Sequence, residues 1–257
     1  MSEYIIELRN VTKSFGNVNA VDGVSLAIKR GEVVGLIGDN GAGKSTLIKV
    51  LSGVHKPDSG EIYLRGEKVN HWDSAKSRHS GIETVYQDRA LAVQQSITRN
   101  IFMGREIQNR FGFVDVKKQY QEANRLMREI GFTSKVFDPE SPVATLSGGE
   151  RQGVAIARAL YYDADLIILD EPTTALSLTE TNKVFSFIEN VRAQGRSIIF
   201  IGHNIYHVYD IAERFIVLDR GQVVLTSDKS EVPSAEHLIK TMHDIARMGH
   251  AEMKGAA

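Results

Sequence analysis

The sequence predicts an α/β fold: a mainly parallel sheet with packed helices, an antiparallel β-subdomain ahead of it, and an α-helical subdomain inserted into it. Three observations point there. The first 65 residues alternate apolar and polar side chains with a period of two. Two short runs, Val33-Val34-Gly35-Leu36-Ile37 and Leu166-Ile167-Ile168-Leu169, are apolar throughout, as strands buried on both faces are. The middle of the chain repeats its apolar residues at helical spacing.

Taken in order, Ile6 and Leu8 alternate with Glu7 and Arg9, Val24, Leu26 and Ile28 with Ser25 and Ala27, and Ile62 and Leu64 follow Gly60. Such alternation marks antiparallel strands with one wet face. After the buried strand at Val33 come a Gly-rich turn and a helix from Lys44, carrying Leu47, Ile48 and Leu51 and ending near Gly53. From Asp115, a capping residue, Val116, Tyr120, Ala123, Met127 and Ile130 recur at spacings of 4, 3, 4 and 3, and Gly131 closes that helix. Another helix is expected from Glu150 to Tyr161. Residues 88–160 therefore read as the helical subdomain, and 1–87 and 161–228 as the two parts of the core. In the second part the pattern predicts a strand at 166–169, a helix at about 178–193, a strand at 197–201, a short helix, and a hairpin turning at Asp219-Arg220-Gly221. Residues 229–257 read as a C-terminal helical tail.

A chain of 257 residues, 42% hydrophobic and 25% charged, can bury one substantial core. Its 31 Lys+Arg against 32 Asp+Glu leave a net charge of -1, which gives no electrostatic footprint for nucleic acid. The absence of Cys excludes a disulfide scaffold, a zinc ribbon and a thiol nucleophile. No apolar run approaches the roughly 18 residues of a spanning helix. Met1-Ser2-Glu3-Tyr4 has neither the basic flank nor the apolar core of a leader. A soluble, cytoplasmic protein is expected, one that can still sit on a membrane through a partner.

Gly38-Asp39-Asn40-Gly41-Ala42-Gly43-Lys44-Ser45-Thr46 fits the pattern G-x-x-x-x-G-K-[ST]. Glycines let successive backbone N–H groups turn inward around a phosphate, and the helix that follows presents its positive end to the same anion. Lys44 is placed to reach the β- and γ-phosphates, and the Ser45 hydroxyl to ligate Mg²⁺. A chance Gly-rich turn with these four fixed positions occurs in roughly 1% of chains this long. The dinucleotide fingerprint is rejected, since Gly41-Ala42-Gly43-Lys44-Ser45-Thr46 lacks its last Gly.

Downstream, the buried run at 166–169 leads into Asp170-Glu171. A carboxylate at the end of a buried strand is unfavourable unless it serves a cation. Asp170 is the expected Mg²⁺ holder, and Glu171 the residue that orients or deprotonates an attacking water. Between these motifs, Ser147, Gly148 and Gly149 open a helix and offer a hydroxyl, bare N–H groups and a helix dipole to an anion. The same three residues also make an ordinary capped helix start.

With Leu146-Ser147-Gly148-Gly149-Glu150-Arg151-Gln152 in place, the chain resembles the ABC ATPases, the nucleotide-binding subunits of ABC transporters, from about Ile5 to Thr226. The resemblance implies a P-loop NTPase core of ABC ATPase type, ATP with Mg²⁺ as its cofactors, and a head-to-tail homodimer. Ser147, Gly148 and Gly149 would complete the ATP site of the opposite subunit. It further implies that Phe15 stacks on adenine, that Gln87 senses Mg²⁺ and the attacking water, and that His203 contacts the γ-phosphate. One position departs: Ser177 stands where the family has an Asp that couples the two ATP sites, although Ser177-Leu178-Thr179-Glu180 still reads as a capping box.

Three stretches are similar to the ATPases of bacterial monosaccharide importers of fructose/ribose type: Gly81 to Gln87, Asn100-Ile101-Phe102-Met103-Gly104-Arg105-Glu106, and His203 to Val208. That resemblance implies transmembrane permease subunits as partners, a periplasmic sugar-binding protein acting indirectly, and a peripheral position on the cytoplasmic face of the inner membrane. Many members of that group fuse two ATPase domains, and with one here a dimer of two copies is expected. A non-transport ABC ATPase, or an ATP-gated regulatory module, is the alternative. The former normally shows two domains or a long inserted coiled coil.

Overall fold

Alternate residues of each buried strand divide between two hydrophobic clusters, which explains runs that are apolar throughout. In a computed structural model, residues 3–86, 90–132 and 138–255 are described, with side chains as far as Arg247. The described strands are β1 (Tyr4–Phe15), β2 (Val18–Lys29), β3 (Val33–Ile37), β4 (Ser59–Leu64), β5 (Glu67–Lys68), β6 (Ile82–Val85), β7 (Leu166–Asp170), β8 (Ser197–Ile201), β9 (Arg214–Asp219) and β10 (Gln222–Asp228). The helices are α1 (Lys44–Leu51), α2 (Ser74–His79), α3 (Ile97–Phe102), α4 (Val116–Glu129), α5 (Gly148–Tyr161), α6 (Leu178–Ala193), α7 (Ile205–Ile211) and α8 (Ala235–Gly255).

One sheet has the order β2-β1-β4-β5 and is antiparallel throughout. The other has the order β10-β9-β3-β8-β7-β6, parallel except for the β10–β9 hairpin. On the parallel sheet, Val33, Ile37, Ile167, Leu169, Ile198 and Phe200 face one cluster, shared with α3, α4, α5 and α6. Val34, Leu36, Leu166, Ile168, Ile199 and Ile201 face the other, shared with α1 and the antiparallel sheet. The strands' period of two thus reaches both faces at once. The helices of the middle region lie in the same cluster as one face of the parallel sheet.

Two polar clamps tie the sheets together at the base of β3. Arg214 donates to both carboxylate oxygens of Glu32, at 3.0 and 2.6 Å, and to the carbonyl of Ala27 at 2.7 Å. The Ser197 hydroxyl accepts from the Gly31 N–H at 2.7 Å and donates to the Lys29 carbonyl at 3.0 Å.

The expected elements are present, with shifted edges. The α5 helix begins at Gly148 rather than Glu150, because Ser147 accepts from the Glu150 N–H and Glu150 returns the bond to the Ser147 N–H. Asp115 caps α4 as expected, and Gly131 follows its end. The sequence reading omits β6, β5, α2 and α3. The six residues of α2 hold no apolar periodicity; its start is set by Asp73 accepting from the Lys76 N–H. Among the described residues no helix is long and apolar enough to cross a membrane.

Candidate functional site

The strands β3, β8 and β7 are neighbours, and their C-terminal ends deliver the P-loop, His203 and Asp170-Glu171 to one edge of the sheet. Ligands of open α/β sheets collect at that edge. Asp170 pairs in register with Ile201, and the Glu171 N–H donates to the Ile201 carbonyl at 3.0 Å, so the end of β7 and the approach to His203 share a ladder.

The turn Gly38–Gly43 folds back before α1. The Ala42 N–H donates to the Asp39 carbonyl at 3.1 Å, and Gly43 sits at φ +103° as the residue before the helix. A Cβ on Gly43 would lie 2.2 Å from the Ala20 carbonyl oxygen, so only glycine fits where the turn crosses β2. Lys44 is only 7% exposed and donates to the Gly38 carbonyl at 2.6 Å and the Asp39 carbonyl at 3.0 Å. Burial pushes its ammonium below the usual lysine range, opposed by the charges of Glu171, Asp39 and Asp170. Asn40, Gly41, Ser45 and Thr46 complete the turn and the first residues of α1.

Opposite this stands the acidic pair. Burial, and then the neighbouring charge of Glu171, push the Asp170 carboxyl above the usual range, while Lys44 and His203 pull it back. Glu171 adopts φ +50°, unusual for a residue with a side chain. Its side chain is held at both oxygens: His203 Nε2 lies 2.5 Å from Oε1, and the Thr174 hydroxyl donates to Oε2 at 3.0 Å. Strained backbone and a doubly held carboxylate make a preorganised group.

Phe15 ends β1 with 47% of its surface exposed, so it is not a core ring. His55 packs edge-on against it with ring centroids 5.3 Å apart, and Lys13 Nζ lies 5.7 Å from its centre. Sequence reasoning assigned nothing to His55. Gln87 lies outside the described residues.

The helix start at Ser147-Gly148-Gly149 is engaged by a residue that the sequence marked only as a local cap. Glu180 Oε1 accepts from the Gly148 N–H at 2.7 Å and from the Gly149 N–H at 3.4 Å, while Oε2 accepts from the Ser177 N–H at 3.0 Å and its hydroxyl at 2.9 Å. One carboxylate thus caps both α5 and α6. These bonds, those from Ser177 foremost, hold its pKa down to about 2. A Cβ on Gly149 would meet the Glu180 carbonyl at 2.9 Å, so the close approach of α5 to α6 accounts for that glycine. Ser177 is the N-cap of α6 as its capping box predicts.

Among the described residues no three His, Cys, Asp or Glu side chains converge as a ready metal cage. That suits Mg²⁺, which is held through one or two protein groups together with phosphate oxygens and water. The donors present, a Ser45 hydroxyl beside a buried ammonium and a desolvated Asp170, fit a Mg-polyphosphate. The Lys44 ammonium would meet its oxygens, and its cation would offset the acidic pair. A cavity of about 660 Å³ lies behind Gly38 and Asp39, under α8 against Leu218 and Met242.

A P-loop before α1, a carboxylate pair at the end of β7 and a Ser-Gly-Gly helix start define an ATP-binding cassette. The family model for ABC transporters matches residues 21–174, and this chain belongs to that family. It is 45% identical over 242 residues to the xylose/arabinose import ATP-binding protein of Sulfolobus acidocaldarius, covering 94% of this chain and 95% of that protein. It is 40% identical to the ribose import ATP-binding protein of Caldanaerobacter subterraneus subsp. tengcongensis, covering 93% of this chain and 48% of that protein. The chain therefore spans about half the length of such ribose-type relatives. Among solved structures it is similar to a nucleotide-free ATP-binding cassette, with a TM-score of 0.76 and 25% identity over 89% of this chain and 93% of that one. A dimeric cassette bound to ADP and Pi in a post-hydrolysis state gives a TM-score of 0.72 and 27% identity over 87% of this chain and 98% of that one.

Proposed function

We propose that the chain is the ATP-hydrolysing subunit of an ABC importer for a monosaccharide. The observation that carries ATP hydrolysis is the convergence of Lys44, Asp170, Glu171 and His203 at the ends of three adjacent parallel strands; import of a sugar rests on the relatives. Gly38 to Thr46 hold the phosphates of ATP, and Phe15 stacks on its adenine, which is worth roughly 1–3 kcal/mol. Ser45, Asp170 and Gln87 hold Mg²⁺, which when bound neutralises developing charge on the phosphate oxygens. Glu171 Oε1 takes the proton of the attacking water as the water oxygen bonds to the γ-phosphorus and the bond to ADP breaks. His203, 2.5 Å from that oxygen, fixes its direction and faces the γ-phosphate.

Two copies close head to tail over two ATP molecules, with Ser147, Gly148 and Gly149 of each completing the other's site. Closure is a population shift driven by ATP and reversed by hydrolysis. Residues 1–87 and 161–228 form the ATP-binding core, 88–160 the helical subdomain that moves against it, and 229–257 the tail. The motion acts on membrane permease subunits at the cytoplasmic face, to which a periplasmic binding protein delivers sugar. The importer names of the relatives at 45% and 40% identity support this reading.

The test uses two variants. Lys44→Ala is expected to lose ATP binding and turnover. Glu171→Gln is expected to keep ATP binding, to lose turnover by about 10²–10⁴-fold, and to accumulate the closed dimer. Glu171→Gln purified with Mg·ATP from solubilised native membranes is expected to bring a multi-spanning subunit in stoichiometric amount. Ribosomes or only soluble proteins in its place refute transport, and normal turnover refutes the role of Glu171.

A further inference from the structure

Between α3 and α4 the chain makes a tight hairpin that holds two phenyl rings out in water. Gln108 bridges Val114, the Asn109 N–H donates to the Phe113 carbonyl at 2.8 Å, and the Asp115 N–H donates to the Ile107 carbonyl at 2.8 Å. The Asn109 side chain closes the tip, accepting from the Phe111 and Phe113 N–H groups at 2.9 and 3.2 Å. The base is pinned to the end of α5, where the Tyr161 and Tyr162 hydroxyls donate to the Arg105 and Met103 carbonyls at 3.1 and 3.0 Å. On this ordered scaffold Phe111 is 68% exposed and Phe113 72%. Val114 and Val116 extend the apolar strip. Isolated exposed apolar residues are ordinary, but two exposed aromatic rings two residues apart on a hydrogen-bonded tip form a presented contact.

The charges around the tip identify the partner. Arg110 lies against the Phe111 ring, 4.6 Å from its centre. Lys117 and Lys118 occupy the first turn of α4, directly after the Asp115 cap that meets the positive end of the helix. Both lysines are exposed. Asp115 caps this helix start and Glu122 lies one turn on, so the tip carries Arg110, Lys117 and Lys118 against these two carboxylates. Aromatic rings that enter an apolar layer, flanked by cations that stay at its charged boundary, are the chemistry of an anionic lipid interface.

We propose that the Asn109–Lys118 hairpin docks on the anionic headgroup surface of a membrane, with Phe111 and Phe113 inserted and Arg110, Lys117 and Lys118 on the headgroups. The contact is separate from any held through permease subunits and does not depend on the ATP site. Its convex shape suits a soft surface rather than a helix-lined groove. Two rings and three cations make the binding reversible and salt-sensitive.

The purified full chain is sedimented with vesicles of phosphatidylcholine alone and of phosphatidylcholine with phosphatidylglycerol, at low and raised salt. Binding to the anionic vesicles alone, weakening with salt, is the expected result. Phe111→Ser and Phe113→Ser each lower the partition by about tenfold, and Lys117→Glu with Lys118→Glu removes the preference for anionic lipid. Melting temperature and ATP turnover stay at wild-type values, since all four side chains are solvent-exposed and outside the site. Absence of binding to either vesicle, or Ser variants that bind as the wild type does, overturns the proposal. A multi-spanning subunit whose co-purification depends on Phe111 while vesicles are ignored assigns the hairpin to a protein contact and also overturns it.

Discussion

Gly43→Ala separates the two demands placed on the phosphate turn. The new Cβ would lie 2.2 Å from the Ala20 carbonyl oxygen, where ordinary contact begins near 3.4 Å. Either the turn or β2 must give by more than an ångström. Neither is free, because Ala42 accepts from the Gly221 N–H at 2.9 Å and Gly221 in turn accepts from the Asp22 N–H at 2.8 Å. The backbone at φ +103° adds about 1–2 kcal/mol for any side chain, and overpacking about 1–3 kcal/mol. The expected loss of stability is about 2–5 kcal/mol, a fall in melting temperature of roughly 5–15 °C for a chain of this size. Because the displaced atoms include the N–H groups of the turn, ATP affinity is expected to fall by roughly 10- to 100-fold, the worth of one charge-assisted hydrogen bond. Calorimetric melting and titration with a fluorescent ATP analogue read the two effects. Gly41→Ala is the internal control: its φ is +84° but no atom lies within 4 Å of the new Cβ, so only the backbone penalty of about 1–2 kcal/mol is expected. A Gly43→Ala protein that melts with Gly41→Ala and binds ATP within a few-fold of wild type would refute the steric argument.

Two further outcomes follow from the polar bonds. Glu180 has a folded pKa of about 2 against an ordinary 4.5, so its stabilisation is complete above the ordinary value and fades as pH falls toward the folded one. The difference in melting temperature between wild type and Glu180→Gln should therefore be largest near neutrality and close in acid; a difference that is constant with pH would show that the charge is irrelevant. Arg214→Ala leaves the nearly buried Glu32 without its cation, and a loss of about 3 kcal/mol is expected in denaturant unfolding, the low end of the range because the Lys29 N–H still donates to Glu32. A loss below about 1 kcal/mol would mean that the clamp between the sheets is replaced by water.

Much of this molecule can be read from local rules, and what cannot be read has a common cause. The buried strands β3, β7 and β8, the hairpin at Arg220 and the caps at Asp115 and Ser177 each rest on residues within one element, so period and spacing reveal them. The P-loop is legible because its geometry is written in consecutive positions. The contact of His203 with Glu171 joins residues 32 apart and has no sequence signal; the resemblance points His203 only toward the γ-phosphate. The β6 strand, Ile82-Glu83-Thr84-Val85, carries an acid at a position whose environment only the fold supplies; burial raises the Glu83 carboxyl above its usual range. His55 beside Phe15, and Glu180 reaching across to α5, gave no sequence signal beyond a capping box, because their partners come from other elements.

The shared cap has a mechanical consequence. A loop and a helix that touch only through apolar side chains can slide past one another, each absorbing part of an imposed motion. Glu180 instead grips Ser177 with one oxygen and Gly148 with the other, two atoms of one rigid planar group. The corner after β7 and the first turn of α5 are in effect riveted. Glu180 thus links the Gly148 corner to the segment that begins at Glu171, six residues before Ser177. A single planar carboxylate is the linkage, so the distance between its two grips is fixed by covalent geometry.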